Sequence, residues 1–200
     1  MAAEIIDVLR HGSTRSGNIL RGHTDDPLSD EGYEQMRQAV VGSGWRRIVS
    51  SPLSRCRVFA EALARERQIP LDVDDRLTEF HFGDWDGKDI DVLRAEDGER
   101  LQQFFADPVN NTPPGGEQFT HFDRRVQAVW QSIHDQEQAG GTLIITHGGV
   151  ILSILAVVLG RDRLHGRVDV PYASISRIAR GGKDYPARLL YHGHGPIRAT

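Results

Sequence analysis

Two apolar runs far apart in the chain, in "IIDVLRHGST" (Ile5–Thr14) and "LIITHGGV" (Leu143–Val150), each stop at a histidine followed by glycine. Short β-rich runs that lack the alternation of a half-exposed strand read as strands buried on both faces. Such strands need helices above and below them, which narrows the chain to an α/β architecture with a parallel sheet. In open sheets of that kind ligands sit beyond the carboxyl ends of the strands. Arg10, His11 and His147 stand at that edge, and the glycines behind the histidines let backbone N–H groups approach an anion closely.

The segments between these runs supply the helices. Glu4–Leu9 reads as the first strand, Asp30–Val40 as a helix capped by Ser29 or Asp30, and Arg47–Ser50 as the second strand. In "SSPLSRCRVFAEALARER" Ser51 is expected at the N-cap and Pro52 at the first helical position, with Leu53, Cys56, Phe59 or Ala60, and Leu63 on one face. A strand over "IPLDV", a loop-rich stretch from Leu77 to Lys88, a helical segment up to about Ala106 and the loop "NNTPPGGEQ" follow. Phe119, Phe122, Val126, Val129 or Trp130, and Ile133 then recur at helical spacing, and Leu143–Thr146, Ser174–Ala179 and Arg188–Tyr191 complete the strands. The expected fold is α/β, a three-layer sandwich forming a single domain over residues 1–200, with a mainly parallel central sheet and helices on both faces. Arg55 falls on the first turn of the helix that leaves the second strand, where a helix amino terminus and a guanidinium suit an oxyanion or phosphate.

Composition excludes several other kinds of protein. With 38% hydrophobic residues, 200 residues can build a sizeable core, and the net charge of −4 with no basic run argues against a nucleic-acid partner. The single cysteine, Cys56, allows no intramolecular disulfide and no cysteine-based zinc site, and it reads as a small buried apolar residue. "MAAEIIDVLR" carries no basic leader, so a cytoplasmic location is expected. The most apolar window, Val150–Leu159, is about half of a membrane span and reads as a core helix, so no membrane association is expected. Among the nine histidines, His23, His81, His121, His134, His165, His192 and His194 show no H-E-x-x-H spacing and no supporting cluster, so neither metal nor other cofactor is expected. Taken singly, a histidine at a strand end is more often a structural hydrogen-bonding group than a catalyst. The convergence of His11, His147, Arg10 and Arg55 from three strand ends is what points to a site.

Five blocks in order, "LRHGST", "SSPLSRC", "LTEFHFGDWDGK", "PPGGE" and "THGGV", resemble the histidine phosphatase superfamily, whose best-known branch is the phosphoglycerate mutases. The "GDWDG", "PPGGE" and "SPLSRC" blocks are most similar to its bacterial α-ribazole phosphatases, which remove phosphate from a cobalamin-precursor nucleotide. The resemblance implies a phosphoglycerate mutase-like fold in which His11 attacks phosphorus in line and becomes phosphohistidine. It implies that Arg10, Arg55 and His147 hold the phosphoryl oxygens and stabilise charge in the transition state. It also implies that Glu79 protonates the leaving alkoxide and then, ionised, helps water attack the phosphoenzyme.

The chain departs from its relatives at several positions. Many carry asparagine six positions after the nucleophile; here that position is Gly17 and Asn18 comes next. The mutases carry arginine directly after the acid/base glutamate, where this chain has Phe80, so mutase activity is disfavoured. The acid-phosphatase and phytase branch has an arginine three positions after the nucleophile and a His-Asp pair at the late strand; this chain has Thr14 and His147-Gly148, with His134-Asp135 on a helix. Asn18, Phe80 and Trp85 are candidate substrate contacts, and Phe82 and Trp85 read equally well as core plugs. The expected activity is a metal-independent phosphomonoesterase acting on a small-molecule phosphate ester, α-ribazole 5'-phosphate first. A broad small-molecule or sugar-phosphate phosphatase and a non-catalytic phospho-ligand binding module stand as alternatives, and nothing in the sequence specifies an oligomeric state.

Overall fold

A computed structural model of the chain describes residues 4–136, 140–182 and 185–194. Its strands are β1 (Ile5–Arg10), β2 (Arg47–Ser50), β3 (Leu71–Val73), β4 (Thr142–Thr146), β5 (Ile175–Ala179) and β6 (Arg188–Gly193). Its helices are α1 (Asp30–Ala39), α2 (Ser54–Arg67), α3 (Ile90–Ala106), α4 (Phe119–Asp135) and α5 (Gly148–Val158). The strands form one sheet in the order β3-β2-β4-β1-β5-β6.

The middle strands are largely apolar because both of their faces meet helices, and the buried Asp7 of β1 is held by Trp45 Nε1 and Arg177. Ile6, Val8, Val49, Ile144 and Ile178 point into one cluster with Phe122, Val126 and Val129 of α4 and Val150, Ile151 and Ile154 of α5. Their neighbours Leu9, Ile48, Leu143, Ile145 and Ile175 point the other way, against Met36 of α1 and Phe59 and Leu63 of α2. Adjacent strand residues face opposite sides of a sheet, so these two sets make two cores and three layers. The pairings β1–β4, β2–β4 and β2–β3 are parallel, while β5 runs antiparallel to both β1 and β6. Among the described residues no helix is long and apolar enough to cross a membrane; α5 is instead core, with Val150, Ile154 and Leu155 buried.

One local expectation is corrected. The helix after the second strand does not begin with Ser51 at the N-cap and Pro52 inside it: α2 starts at Ser54, and Leu53 is the cap without a side-chain bond. Ser51 Oγ is held instead by His147 Nε2 at 2.7 Å, and Asp25 Oδ1 accepts the Ser54 N–H at 2.7 Å. Ser51 Oγ also accepts a long bond from Leu53 N–H at 3.4 Å, but its short partner is long-range and α2 opens two residues further on. The segment ending at Ala106 is helical as expected, but α3 breaks at Asp97 (φ −140°, ψ 30°), whose Oδ2 accepts from Trp85 Nε1 at 2.9 Å.

Register decides what the sheet can present. Arg10 pairs with Thr146 across β1 and β4, and Ser50 pairs with Ile145 across β2 and β4. The residues that follow, His11, His147 and Ser51, therefore leave three neighbouring strand ends side by side.

Candidate active site

The ladder continues just beyond the strands. His11 N–H donates to Thr146 O at 3.0 Å and Ser51 N–H to Ile145 O at 3.0 Å, and the His11 and His147 rings lie 5.3 Å apart, edge to face. His11 Nδ1 is 2.8 Å from the carbonyl of Gly12, which can only accept. Nδ1 therefore carries the proton and Nε2 keeps its lone pair. Burial pushes the His11 pKa well below the ordinary histidine value, with the Arg55 and Arg10 guanidinium groups adding to the effect, so the ring is neutral.

His147 is fixed by the same logic. Arg55 Nε–H donates to His147 Nδ1 at 3.2 Å, so Nδ1 is the lone-pair nitrogen and Nε2–H donates to Ser51 Oγ at 2.7 Å. Burial first, then Arg55, pushes its pKa well below the ordinary value. Cys56 Sγ lies 3.7 Å from His147 Nε2, and burial drives its thiol up to about 12, so it stays an uncharged filler, in line with its reading from sequence.

The two arginines occupy different depths. Arg55 is fully buried, and its Nη1 and Nη2 donate to Thr24 O at 2.8 Å and Gly22 O at 2.7 Å. Asp86, from the "GDWDG" block, holds that loop by accepting from the N–H groups of His23 at 2.7 Å and Thr24 at 2.9 Å. Burial raises the Asp86 carboxyl, but hydrogen bonds from Thr24, His23 and Gly22 outweigh it and hold the group below the usual carboxylate range. Arg10, at the end of β1, donates through Nη1 to Val170 O and lays its guanidinium 4.2 Å over the Tyr172 ring. Its Nε is buried with no partner among the described residues.

Glu79 reaches the same place from the loop before Phe80. Its Oε1 accepts from Phe80 N–H and its Oε2 from Gly149 N–H, both at 2.9 Å, the second in the first turn of α5 where the helix dipole favours an anion. A Cβ on Gly149 would lie 2.5 Å from Glu79 Oε1, so any side chain here would displace the Glu79 carboxylate. Arg125 of α4 braces the loop from behind. It donates to the carbonyls of Arg76, Thr78 and Glu79 and to both oxygens of Glu117, the acid of the "PPGGE" block.

Arg10, His11 and Glu79 form the base of a cavity of about 360 Å³. Its wall is largely aromatic and aliphatic, with Phe80, Phe82, Phe104, Phe119, Phe122 and Leu152 in it. Arg55 and His147 do not line this cavity; they lie behind it, enclosed by their own hydrogen bonds. Gly17 takes a left-handed φ of 66°, and Asn18 after it is exposed and sits on the cavity rim. Phe80 lines the cavity, yet only 4% of it is exposed because it packs against Phe82, Phe104 and Phe122. Trp85 is corrected as a substrate contact: it is buried away from the cavity, tied to Asp97 and packed on Phe104 from behind. Among the described residues no three His, Cys, Asp or Glu side chains gather as a metal site.

Sequence reasoning missed Ser51 as the partner of His147, Arg21 and Tyr172 on the cavity wall, and Arg125. Arg21 is neutralised by Asp26 at 2.7 Å and folds its own loop by donating to Ile19 O. Asp86 and Glu117 stood inside quoted blocks, and carboxylates set among glycines in loops were a signal available without the structure.

An apolar-walled cavity whose base joins guanidinium, neutral imidazole and carboxylate groups is built to bind a phosphate ester and cleave it, the work of a phosphoric monoester hydrolase. The chain belongs to the histidine phosphatase superfamily (branch 1), whose sequence profile matches residues 6–191. It is 28% identical over 170 residues, 81% of the chain and 84% of the relative, to the adenosylcobalamin/alpha-ribazole phosphatase of Escherichia coli strain K12. It is 29% identical over 177 residues, covering 86% of the chain and 82% of the relative, to "Probable phosphoglycerate mutase GpmB" of Escherichia coli O1:K1. The fold matches that of a mycobacterial glucosyl-3-phosphoglycerate phosphatase with a TM-score of 0.80 at 26% identity, over 96% of this chain and all of the other.

Proposed function

We propose that the protein is a metal-independent phosphomonoesterase that works through phosphohistidine at His11 and takes α-ribazole 5'-phosphate, releasing inorganic phosphate during assembly of the cobalamin nucleotide loop. The observation that carries the chemistry is the His11 tautomer: with Nδ1–H on the Gly12 carbonyl, the Nε2 lone pair is free to attack phosphorus. As the P–Nε2 bond forms, the P–O bond to the alcohol breaks and Glu79 delivers a proton to the departing oxygen. Glu79, now ionised, takes a proton from water, whose oxygen attacks phosphorus and restores His11. Arg10 meets the phosphoryl oxygens, while Arg55 supplies positive potential and the neutral His147 a fixed hydrogen-bond frame from behind.

The aromatic wall supports the substrate assignment. A flat benzimidazole gains from such a wall, base stacking on aromatic side chains being worth about 1–3 kcal/mol per base. Apart from Arg10, the arginine that a small carboxylated phosphate meets among the described lining residues is Arg21, whose charge Asp26 already pairs. Phe82 retains more exposure than Phe80, and Phe105, 52% exposed and also lining the cavity, is the ring most available for stacking.

Quenching the enzyme with labelled substrate should leave acid-labile, base-stable label on wild type and none on His11→Ala, and excess EDTA should leave the rate unchanged. Loss of the nucleophile should lower turnover by about a millionfold. The kcat/KM for α-ribazole 5'-phosphate should exceed that for 3-phosphoglycerate at least tenfold, the effect of about 1.4 kcal/mol in the transition state. Full activity in His11→Ala overturns the mechanism; equal turnover of 3-phosphoglycerate or sugar phosphates overturns the substrate and leaves a broad phosphatase.

A further inference from the structure

Arg10 and Arg55 are held in opposite ways. Arg55 is held by its edge: three N–H groups, one on each nitrogen, are spent on His147 and on the carbonyls of Thr24 and Gly22. Arg10 is held by its face, with the Tyr172 ring 4.2 Å from its Cζ, and among the described residues only Nη1 is engaged, by Val170 O. A cation–π contact fixes a guanidinium without using the donors that lie in its plane. The buried Arg10 Nε, which has no partner among the described residues, is the consequence.

The backbone around Tyr172 is shaped for this contact. Ala173, the next residue, has a φ of 54°, an unfavourable conformation for a residue with a Cβ. Two hydrogen bonds hold it there, Ala173 N–H to His11 O at 3.1 Å and Arg10 N–H to Ser174 O at 3.0 Å. The segment is thus tied to the two residues it serves, and the Tyr172 ring comes within 5.6 Å of the His11 ring centre. Its hydroxyl makes one long bond, accepting from Arg21 Nη1 at 3.4 Å.

We propose that Tyr172 is a positioning residue that presses its ring on Arg10 so that the guanidinium keeps its in-plane donors for the phosphoryl oxygens. This rests on Arg10 binding phosphate, as proposed above. The ring is what acts, so Tyr172→Phe retains the function and Tyr172→Leu loses it.

The experiment measures the inhibition constant of inorganic phosphate against p-nitrophenyl phosphate in wild type, Tyr172→Phe, Tyr172→Leu, Arg10→Ala and the Tyr172→Leu/Arg10→Ala double variant. Tyr172→Phe should stay within about twofold of wild type, and Tyr172→Leu should raise the constant about tenfold. Arg10→Ala should raise it further, and adding Tyr172→Leu to Arg10→Ala should change nothing more, because the two residues act as one unit. If Tyr172→Leu folds poorly, Tyr172→Met takes its place with the same expected values. An unchanged constant in Tyr172→Leu, or effects that multiply in the double variant, overturns the inference. An unchanged constant in Arg10→Ala instead overturns the role of Arg10 itself.

Discussion

At the scale of single residues, backbone N–H groups fix where each Glu79 oxygen lies. Glu79 has one oxygen on Phe80 N–H and the other on Gly149 N–H, so a proton it delivers must leave from an oxygen already oriented by backbone. An alkoxide needs that proton far more than a nitrophenolate does. Glu79→Gln should therefore slow phosphorylation of the enzyme by an alkyl phosphate by about 100-fold or more, the usual size of general acid catalysis, and by p-nitrophenyl phosphate much less. Single-turnover burst kinetics isolates that step, and equal losses would mean that Glu79 only positions groups. His11, Arg10, Arg55 and His147 were legible as a group because three strand ends project them to one edge, and Glu79 only through the resemblance of its block. Ser51, Tyr172 and Arg125 were not, because each acts on a partner far away in sequence, and no local spacing records such a contact.

At the scale of elements, the strands carry the chemistry and the loops depend on braces. The segment that bears Glu79 has three of its backbone carbonyls on Arg125 of α4, which also grips Glu117 through both oxygens. Lysine cannot replace that fork, since its three donors radiate from one nitrogen. Arg125→Lys should lower kcat for all substrates alike and destabilise the protein by about 2 kcal/mol, less than a fully buried pair because both partners keep some exposure. For a chain of this size that is a fall of roughly 4–8 °C in Tm, which calorimetry would detect. A fall in kcat/KM confined to alkyl phosphates would place the effect in proton donation instead of loop support. The start of α2 shows why element ends are harder to read than elements: Ser51 has the right type for an N-cap, yet the neighbouring strand delivers His147 to it first.

At the scale of the whole molecule, the buried histidines couple stability to pH. His11 and His147 are held well below the ordinary value of 6.5, and burial pushes His165 down to about 4. In the unfolded chain these rings take up protons near pH 6.5, so just below it the unfolded state binds more protons than the native one. Stability is then full above that pH and falls as the pH drops through it, by up to about 1.4 kcal/mol per pH unit for each ring that stays neutral. Urea midpoints should be level from about pH 8 to 7 and fall between pH 6.5 and 5, before carboxylates such as Asp86 titrate. His147→Asn should make that fall shallower; a level midpoint down to pH 5 would show that the rings are not held neutral.

The three-layer sheet itself was legible from the apolar runs and the helical spacing between them, whereas the reversed direction of β5 was not, since a strand's residues do not record which way its neighbour runs. The sheet order also bears on how the protein is made. β1 is made before the other strands, yet its partners β4 and β5 follow more than 130 residues later. Pairings so distant in sequence close large loops and form late. A nascent chain therefore carries His11 without His147, Gly149 or Tyr172 beside it until β4, the start of α5 and the segment before β5 have been made and docked.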